Sequence, residues 1–112
     1  MSIVIIDDAP INQHIARRRL RDMQSVAVPE TPEQLLALPD DATLIFYDVY
    51  MGQDWTDAMH QYIGRNPKAE VVEWSAGGNV SDKKKLVAHA TAKIVKTGLG
   101  DELVTYIQKR GV

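Results

Sequence analysis

Two continuous runs of apolar, mostly β-branched or aromatic residues in this chain end at acidic residues. The run Ser2–Ile6 stops at Asp7 and Asp8, and the run Thr43–Tyr47 stops at Asp48. Uninterrupted apolar runs of this length are typical of parallel strands that are buried on both faces of a sheet. The pattern therefore predicts two central strands whose last residues are followed by carboxylates.

Weaker patterns along the chain predict the remaining elements. Three further strands are expected over Ser25–Val28, Glu70–Trp74 and Ala92–Val95, the last two followed by Ser75 and Lys96. Helices are expected from Pro10 to about Met23, from Pro32 to before Pro39, over Thr56–Ile63, from Ser81 or Asp82 to about Ala90, and over Asp101–Arg110. Thr31 has the side chain of a helix cap, with Gln34 as its partner in a capping box.

Strands and helices alternate five times, which defines the class of fold. Alternation of this kind implies right-handed crossovers and a parallel sheet that is covered by helices on both faces. The sequence predicts an α/β, doubly wound, five-stranded domain. Binding sites of such sheets lie at the carboxyl ends of the strands.

Length and composition limit the alternatives. The 112 residues, 45% hydrophobic and 25% charged, suit a single domain over residues 1–112. The absence of cysteine excludes disulfides and thiolate chemistry. Because the sequence has no apolar run long enough to span a membrane, we expect a cytoplasmic protein without membrane contacts. A net charge of −2 argues against direct binding of nucleic acid, and we interpret the runs Arg17–Arg19 and Lys83–Lys85 as solvated helix faces.

The predicted strand ends bring together five groups with a common chemistry. They are Asp7, Asp8, Asp48, Ser75 and Lys96. Clustered carboxylates repel one another, and a hard divalent cation with oxygen ligands relieves that repulsion. An ammonium and a hydroxyl group can bind the oxygens of a phosphoryl group. The set indicates phosphoryl transfer beside a metal ion.

These segments resemble those of receiver domains of two-component response regulators, and the resemblance spans the whole chain. The matching segments are Ile5–Asn12, Asp48–Gly52, Trp74–Ala76 and Ile94–Thr97. The resemblance implies the flavodoxin-like fold with strand order 2-1-3-4-5. It also implies a role as a stand-alone receiver, not an enzyme, that switches its binding to a partner protein when it is phosphorylated.

The same resemblance implies a role for each candidate site residue. Asp48 would be the nucleophile that accepts a phosphoryl group from a phosphohistidine of a histidine kinase or a histidine phosphotransfer protein. Asp7, Asp8, Asp48 and the backbone carbonyl of Tyr50 would bind Mg²⁺ or Mn²⁺. Ser75 and Lys96 would contact the phosphoryl group. The target protein would bind the face formed by the fourth predicted helix, the fifth strand and the last helix, and the domain would be a monomer or a weak homodimer.

Three positions depart from the pattern of that family. Gly52 and Thr97 replace prolines, and Lys93 stands where an aromatic switch residue is usual. Without the proline, we expect the Lys96–Thr97 peptide bond to be trans or visibly strained. The departures favour an alternative function, a phosphorylation-independent pseudo-receiver that acts as an adaptor or dimerisation module. A second alternative is that the strand-end acids only cap loops and helices, with Ser75 in a turn.

Overall fold

A computed structural model describes residues 2–76, 90 and 92–110 of the chain. Its strands are β1 (Ser2–Ile6), β2 (Val26–Ala27), β3 (Ala42–Tyr47), β4 (Glu70–Ser75) and β5 (Ala92–Val95). They form one parallel sheet in the order β2-β1-β3-β4-β5. The predicted α/β fold class and strand order are confirmed.

The register of the four long strands aligns the positions just before the candidate site residues. Ile6 lies beside Tyr47, Tyr47 beside Glu73, and Glu73 beside Lys93. Because parallel strands run in the same direction, the residues that follow this row emerge at one edge of the sheet. The register therefore places the ends of β1, β3, β4 and β5 next to one another.

Four helices in the described part of the chain cover the sheet. They are α1 (Pro10–Arg19), α2 (Pro32–Leu36), α3 (Gln53–Arg65) and α4 (Asp101–Lys109). Alternate residues of the strands face opposite sides, so one core contains Tyr47 and Val71 with α2 and α3, and the other contains Phe46 and Trp74 with α1 and α4. No helix among the described residues is long and apolar enough to cross a membrane.

Two helices, α1 and α3, have limits that differ by several residues from the prediction. Helix α1 ends at Arg19 instead of Met23, because the chain turns there to bring the carbonyl of Ser25 onto the amide of Ile3, 2.8 Å away. Helix α3 runs from Gln53 to Arg65 and continues through Gly64. At its end, the side-chain amide of Asn66 donates a hydrogen bond to the carbonyl of Tyr62. A glycine alone does not end a helix when the next residues supply a cap.

The short helix α2 begins as predicted at Pro32, with one change in its capping. The Thr31 hydroxyl accepts a hydrogen bond from the Gln34 amide at 3.1 Å. The Gln34 side chain accepts from the amide of Glu30, not from that of Thr31, so the expected capping box is extended by one residue. The helix expected from Ser81 or Asp82 to about Ala90 lies outside the described residues, except for the buried Ala90.

Helix α4 starts directly against α1. Gly100 precedes it with φ +81°, and a Cβ atom there would lie 2.6 Å from Cγ of Arg19 and 2.9 Å from Cγ2 of Ile15. Gly98, in the same loop, has φ +89° but open space around it. Only Gly100 therefore combines a left-handed backbone with a close approach between helices.

Substitution of these two glycines separates backbone strain from the close approach. Gly98→Ala should lower the free energy of unfolding by about 1–2 kcal/mol through its positive φ alone. Gly100→Ala should lose roughly a further 1–3 kcal/mol because the methyl group forces α1 and α4 apart. Urea unfolding of the two variants tests this, and equal losses would contradict the close packing.

Candidate functional site

The three carboxylates among the predicted metal ligands converge at the carboxyl edge of the sheet. Asp7 and Asp48 are buried, with 0% and 7% of their surface exposed, and Asp8 is half-buried. One carboxylate oxygen from each of Asp7, Asp8 and Asp48 lies within 4.8 Å of the others. The structure thus brings together three acids that are as many as 41 residues apart in the sequence.

Local hydrogen bonds fix the two acids that follow β1. Oδ1 of Asp7 accepts from the amide of Ala9 at 2.9 Å and from the side chain of Asn12 at 3.4 Å. Oδ2 of Asp8 accepts from the amide of Gly52 at 3.3 Å, which ties the loop after β3 to the end of β1. The carboxylates are held in place by the chain around them before any ligand binds.

Lys96 is the only cation that the described part of the chain places among these acids. Its Nζ lies 2.5 Å from Oδ2 of Asp7 and 3.5 Å from Oδ1 of Asp48, and its side chain is 10% exposed. One ammonium therefore faces three carboxylates. The excess negative charge and the exclusively oxygen donors fit a small divalent cation such as Mg²⁺.

The acceptor candidate Asp48 is destabilised in its charged form. Burial raises its pKa above the usual 3.8, Lys96 opposes that rise, and the charge of Asp7 adds to it. A hydrogen bond from the backbone of Tyr50 also favours the carboxylate form. The net direction is upward, as expected when one ammonium is shared between two buried acids.

A second set of contacts, made by Trp74, Glu102 and Thr97, positions Lys96 and the loop that follows it. Its Nζ lies 4.7 Å from the ring centroid of Trp74, whose indole N–H donates to Oε2 of Glu102 at 2.8 Å. The Thr97 hydroxyl donates to Oε1 of Glu102 at 2.8 Å. Burial raises the pKa of Glu102, but these bonds outweigh it and hold the pKa below 4.5. The Lys96–Thr97 peptide bond is trans, and Thr97 connects the lysine loop to α4.

Among the described residues, the side chains of Ser75 and Tyr50 make no hydrogen bond to the acidic cluster. Ser75 is buried at the end of β4, and its hydroxyl donates to Oε2 of Glu73 at 3.1 Å. The side chain of Tyr50 is 57% exposed, two residues beyond Asp48. Contact of Ser75 with a phosphoryl group and of the Tyr50 carbonyl with a metal stay predictions.

Several supporting residues could not be identified from the sequence pattern. Gln13, buried on α1, donates to the carbonyl of Asp7 at 2.8 Å, and the ring of Trp74, a buried residue of β4, contacts Lys96. Glu73 lies within an apolar strand, and a charged residue at such a position is the one signal that could have drawn attention to it. Tyr106, expected on a target-binding face, stacks edge-to-face on Phe46 and donates to Glu70.

Removal of Lys96 should expose the cost of the buried acids. Lys96→Met leaves Asp7 without its cation and should lower the free energy of unfolding by about 3 kcal/mol in EDTA. Asp7→Asn in the same background should restore part of the loss, whereas Lys68→Met at an exposed position should change little. Chemical denaturation measures all four proteins, and a loss in Lys96→Met that Asp7→Asn leaves unchanged would contradict the pairing.

The raised pKa of Asp48 predicts a pH-dependent effect of Asp48→Asn. Above the folded-state pKa, the ionised Asp48 costs the folded protein free energy that the neutral amide does not cost. Asp48→Asn should therefore be more stable than the wild type at pH 7 without metal. The difference should shrink as the pH falls through the raised pKa toward 3.8.

Thermal unfolding followed as a function of pH, from acid solution up to neutral pH, measures this difference between Asp48→Asn and the wild type. Asp22→Asn, at an exposed position, is the control. A gap between Asp48→Asn and the wild type that widens in acid would contradict the assignment.

Comparison with known sequences does not assign the chain to a protein family. No protein-family model matches it, and no curated protein matches it significantly. Solved structures do match. The response regulator TrrA of Thermotoga maritima, crystallised with Mg²⁺–BeF, is 19% identical, with a TM-score of 0.69 over 97% of this chain and 98% of its own.

Other receiver structures also align over nearly the whole chain. The BeF3-activated DrrB receiver domain has a TM-score of 0.74 at 15% identity, covering 96% of this chain and 94% of its own. A CheY-like receiver domain of Methanospirillum hungatei has 0.72 at 18% identity, covering 97% and 91%. TrrA has also been crystallised with the histidine kinase ThkA, and in that structure it aligns at 18% identity and a TM-score of 0.70 over 97% of both chains. The chain therefore has the fold of response regulator receiver domains.

Proposed function

We propose that this domain accepts a phosphoryl group on Asp48 beside a bound Mg²⁺ and thereby changes its binding to a partner protein. The observation that carries the proposal is the cluster of Asp7, Asp8 and Asp48 with Lys96, at the carboxyl edge of a receiver fold. The likeness to TrrA in complex with Mg²⁺–BeF and to the BeF3-activated DrrB receiver domain supports it, because beryllofluoride mimics a phosphoryl group.

In the proposed reaction, a carboxylate oxygen of Asp48 attacks the phosphorus of a phosphohistidine. The N–P bond of the donor breaks, an acyl phosphate forms on Asp48, and the released imidazole takes up a proton. Lys96 pairs with the charge that develops on the phosphoryl oxygens, and the Ser75 hydroxyl donates to another of them. The raised pKa of Asp48 means that the approach of a cation also favours its nucleophilic, ionised form.

Mg²⁺, held by the three acids and the Tyr50 carbonyl, would neutralise phosphoryl oxygens and orient them for in-line transfer; Mn²⁺ has the same oxygen preference. The hydrogen bonds that Ala9 and Asn12 donate to Asp7 keep one carboxylate oxygen occupied and direct the other toward the cluster. The role of the chain is positioning, and the domain acts by binding instead of by turning over a small substrate.

A protein donor suits the surface around the acids. Among the described residues, the large hydrophobic side chains that are exposed are Ile11, Tyr50, Val95 and Leu99. Ile11, Tyr50 and Leu99 each follow closely after a strand end that carries a site residue. Exposed apolar side chains suit contact with a protein, and a histidine kinase or phosphotransfer protein is the donor we propose.

An adaptor that works without phosphorylation is the second candidate. It is favoured by Lys93, which occupies β5 beside the buried Glu73, and by Lys96, whose closest acidic oxygen belongs to Asp7 and not to Asp48. In such a domain the acids and the lysine would serve as structural ion pairs. Partner binding would then be insensitive to Asp48→Ala.

Titration with Mg²⁺ and beryllofluoride, a phosphoryl mimic, separates the two candidates. We expect saturable changes in amide spectra around Asp48 and in Trp74 fluorescence, since the Trp74 ring contacts Lys96. Trp55→Phe isolates the Trp74 signal. Asp48→Ala should abolish the response, and Asp54→Ala, at an exposed position on α3, should keep it. If the wild type shows no saturable response, or if Asp48→Ala shows the same response as the wild type, phosphorylation at this site is contradicted.

A further inference from the structure

We propose that Glu73 is a positioning residue that competes with the phosphoryl group at Asp48 for the hydroxyl proton of Ser75. The inference rests on the proposed function. It adds that a buried carboxylate sets how readily the phosphorylated state forms.

Glu73 is an unusual residue for its place in the fold. It lies in the middle of β4 with only 4% of its surface exposed, between Val72 and Trp74 of the core. A buried carboxylate needs donors to remain folded without a large cost. Ser75, two residues further on the same face of the strand, supplies one through its hydroxyl at 3.1 Å.

The Ser75 hydroxyl has one proton to donate. While it donates to Glu73, it cannot donate to an oxygen of a phosphoryl group on Asp48. Contact with the phosphoryl group therefore requires the hydroxyl to leave Glu73. Loss of a donor to a buried carboxylate is unfavourable, so Glu73 opposes the phosphorylated arrangement.

Lys93 is the charged residue next to Glu73 across the sheet. It is the register partner of Glu73 on the neighbouring strand β5. Ala92 and Ile94 pack on the core under α1 and α4, so the alternation of the strand puts Lys93 on the same face as Glu73. When the Ser75 hydroxyl turns away, stabilisation of the Glu73 carboxylate would depend more strongly on the positive charge of Lys93. A charged pair in adjacent strands would thus respond to phosphorylation.

Affinity for Mg²⁺–beryllofluoride tests the competition. Glu73→Leu removes the competing acceptor and should bind the mimic roughly fivefold to tenfold more tightly than the wild type. Glu73→Gln keeps the size of the side chain and a weaker, neutral acceptor, and should show a smaller gain. It also provides the comparison if Glu73→Leu folds poorly.

A double-mutant cycle shows whether the gain passes through Ser75. Ser75→Ala should weaken binding of the mimic, and adding Glu73→Leu to it should give no gain. A gain of the same size with and without the serine hydroxyl would overturn the proposal. Unchanged or weaker binding in both Glu73 variants, with a wild type that binds, would overturn it as well.

Stability without ligand supplies a readout that does not depend on phosphoryl binding. In EDTA, Ser75→Ala should lower the unfolding midpoint by a few degrees in the wild type and by much less in Glu73→Leu, because the hydrogen bond is already absent there. Equal shifts in both backgrounds would overturn the Glu73–Ser75 bond itself. A wild type that fails to bind the mimic while this coupling is present would reject the proposed function and the competition, but not the bond.

Discussion

Three carboxylates face one ammonium at the carboxyl edge of the sheet, and this imbalance of charge organises the surrounding structure. Asp7 and Asp48 are buried and share Lys96, while Asp8 completes the acidic cluster. Burial of a carboxylate costs free energy and is the largest cause of the raised pKa of Asp48, to which the charge of Asp7 adds. A divalent cation would compensate the excess negative charge of the cluster, so the same imbalance that destabilises the unliganded protein would favour binding of the metal. A phosphoryl group would add negative charge, which Lys96 and the bound cation would balance.

The register of the strands and the packing of the helices keep these charged groups at one edge of the sheet. The row Ile6–Tyr47–Glu73–Lys93 fixes where the strands end, and the glycine that begins α4 fits it closely against α1. Behind the acidic edge lies a second polar layer, in which Glu73 accepts from Ser75 beside Lys93. On the other face, Trp74 and Glu102 hold Lys96 and its loop. The candidate site is thus supported by polar contacts on both faces of the sheet.

The sequence pattern predicted the strands and the five groups at their ends, because buried parallel strands have an uninterrupted apolar pattern and their ends meet at one edge. The strand order was implied by the resemblance to receiver domains, and the sheet confirms it. The end of α1 at Arg19 and the start of α3 at Gln53 were harder to predict from the sequence, because helix limits depend on how the connecting loops meet the neighbouring strands. The preference of Lys96 for Asp7 and the bond from Ser75 to Glu73 could not be predicted at all. They depend on side-chain directions and on distances between strands, which spacing along the chain does not contain.

Chemical mapping of the phosphorylated residue is the most direct test of the central claim. The protein is incubated with Mg²⁺ and a phosphorylated histidine donor, then reduced with borohydride, which converts an aspartyl phosphate to homoserine. Tandem mass spectrometry of the tryptic peptide covering residues 22–65 locates the change. We expect homoserine at position 48, dependent on Mg²⁺. Homoserine at another aspartate of that peptide, or none in a protein that binds its donor, would contradict Asp48 as the acceptor.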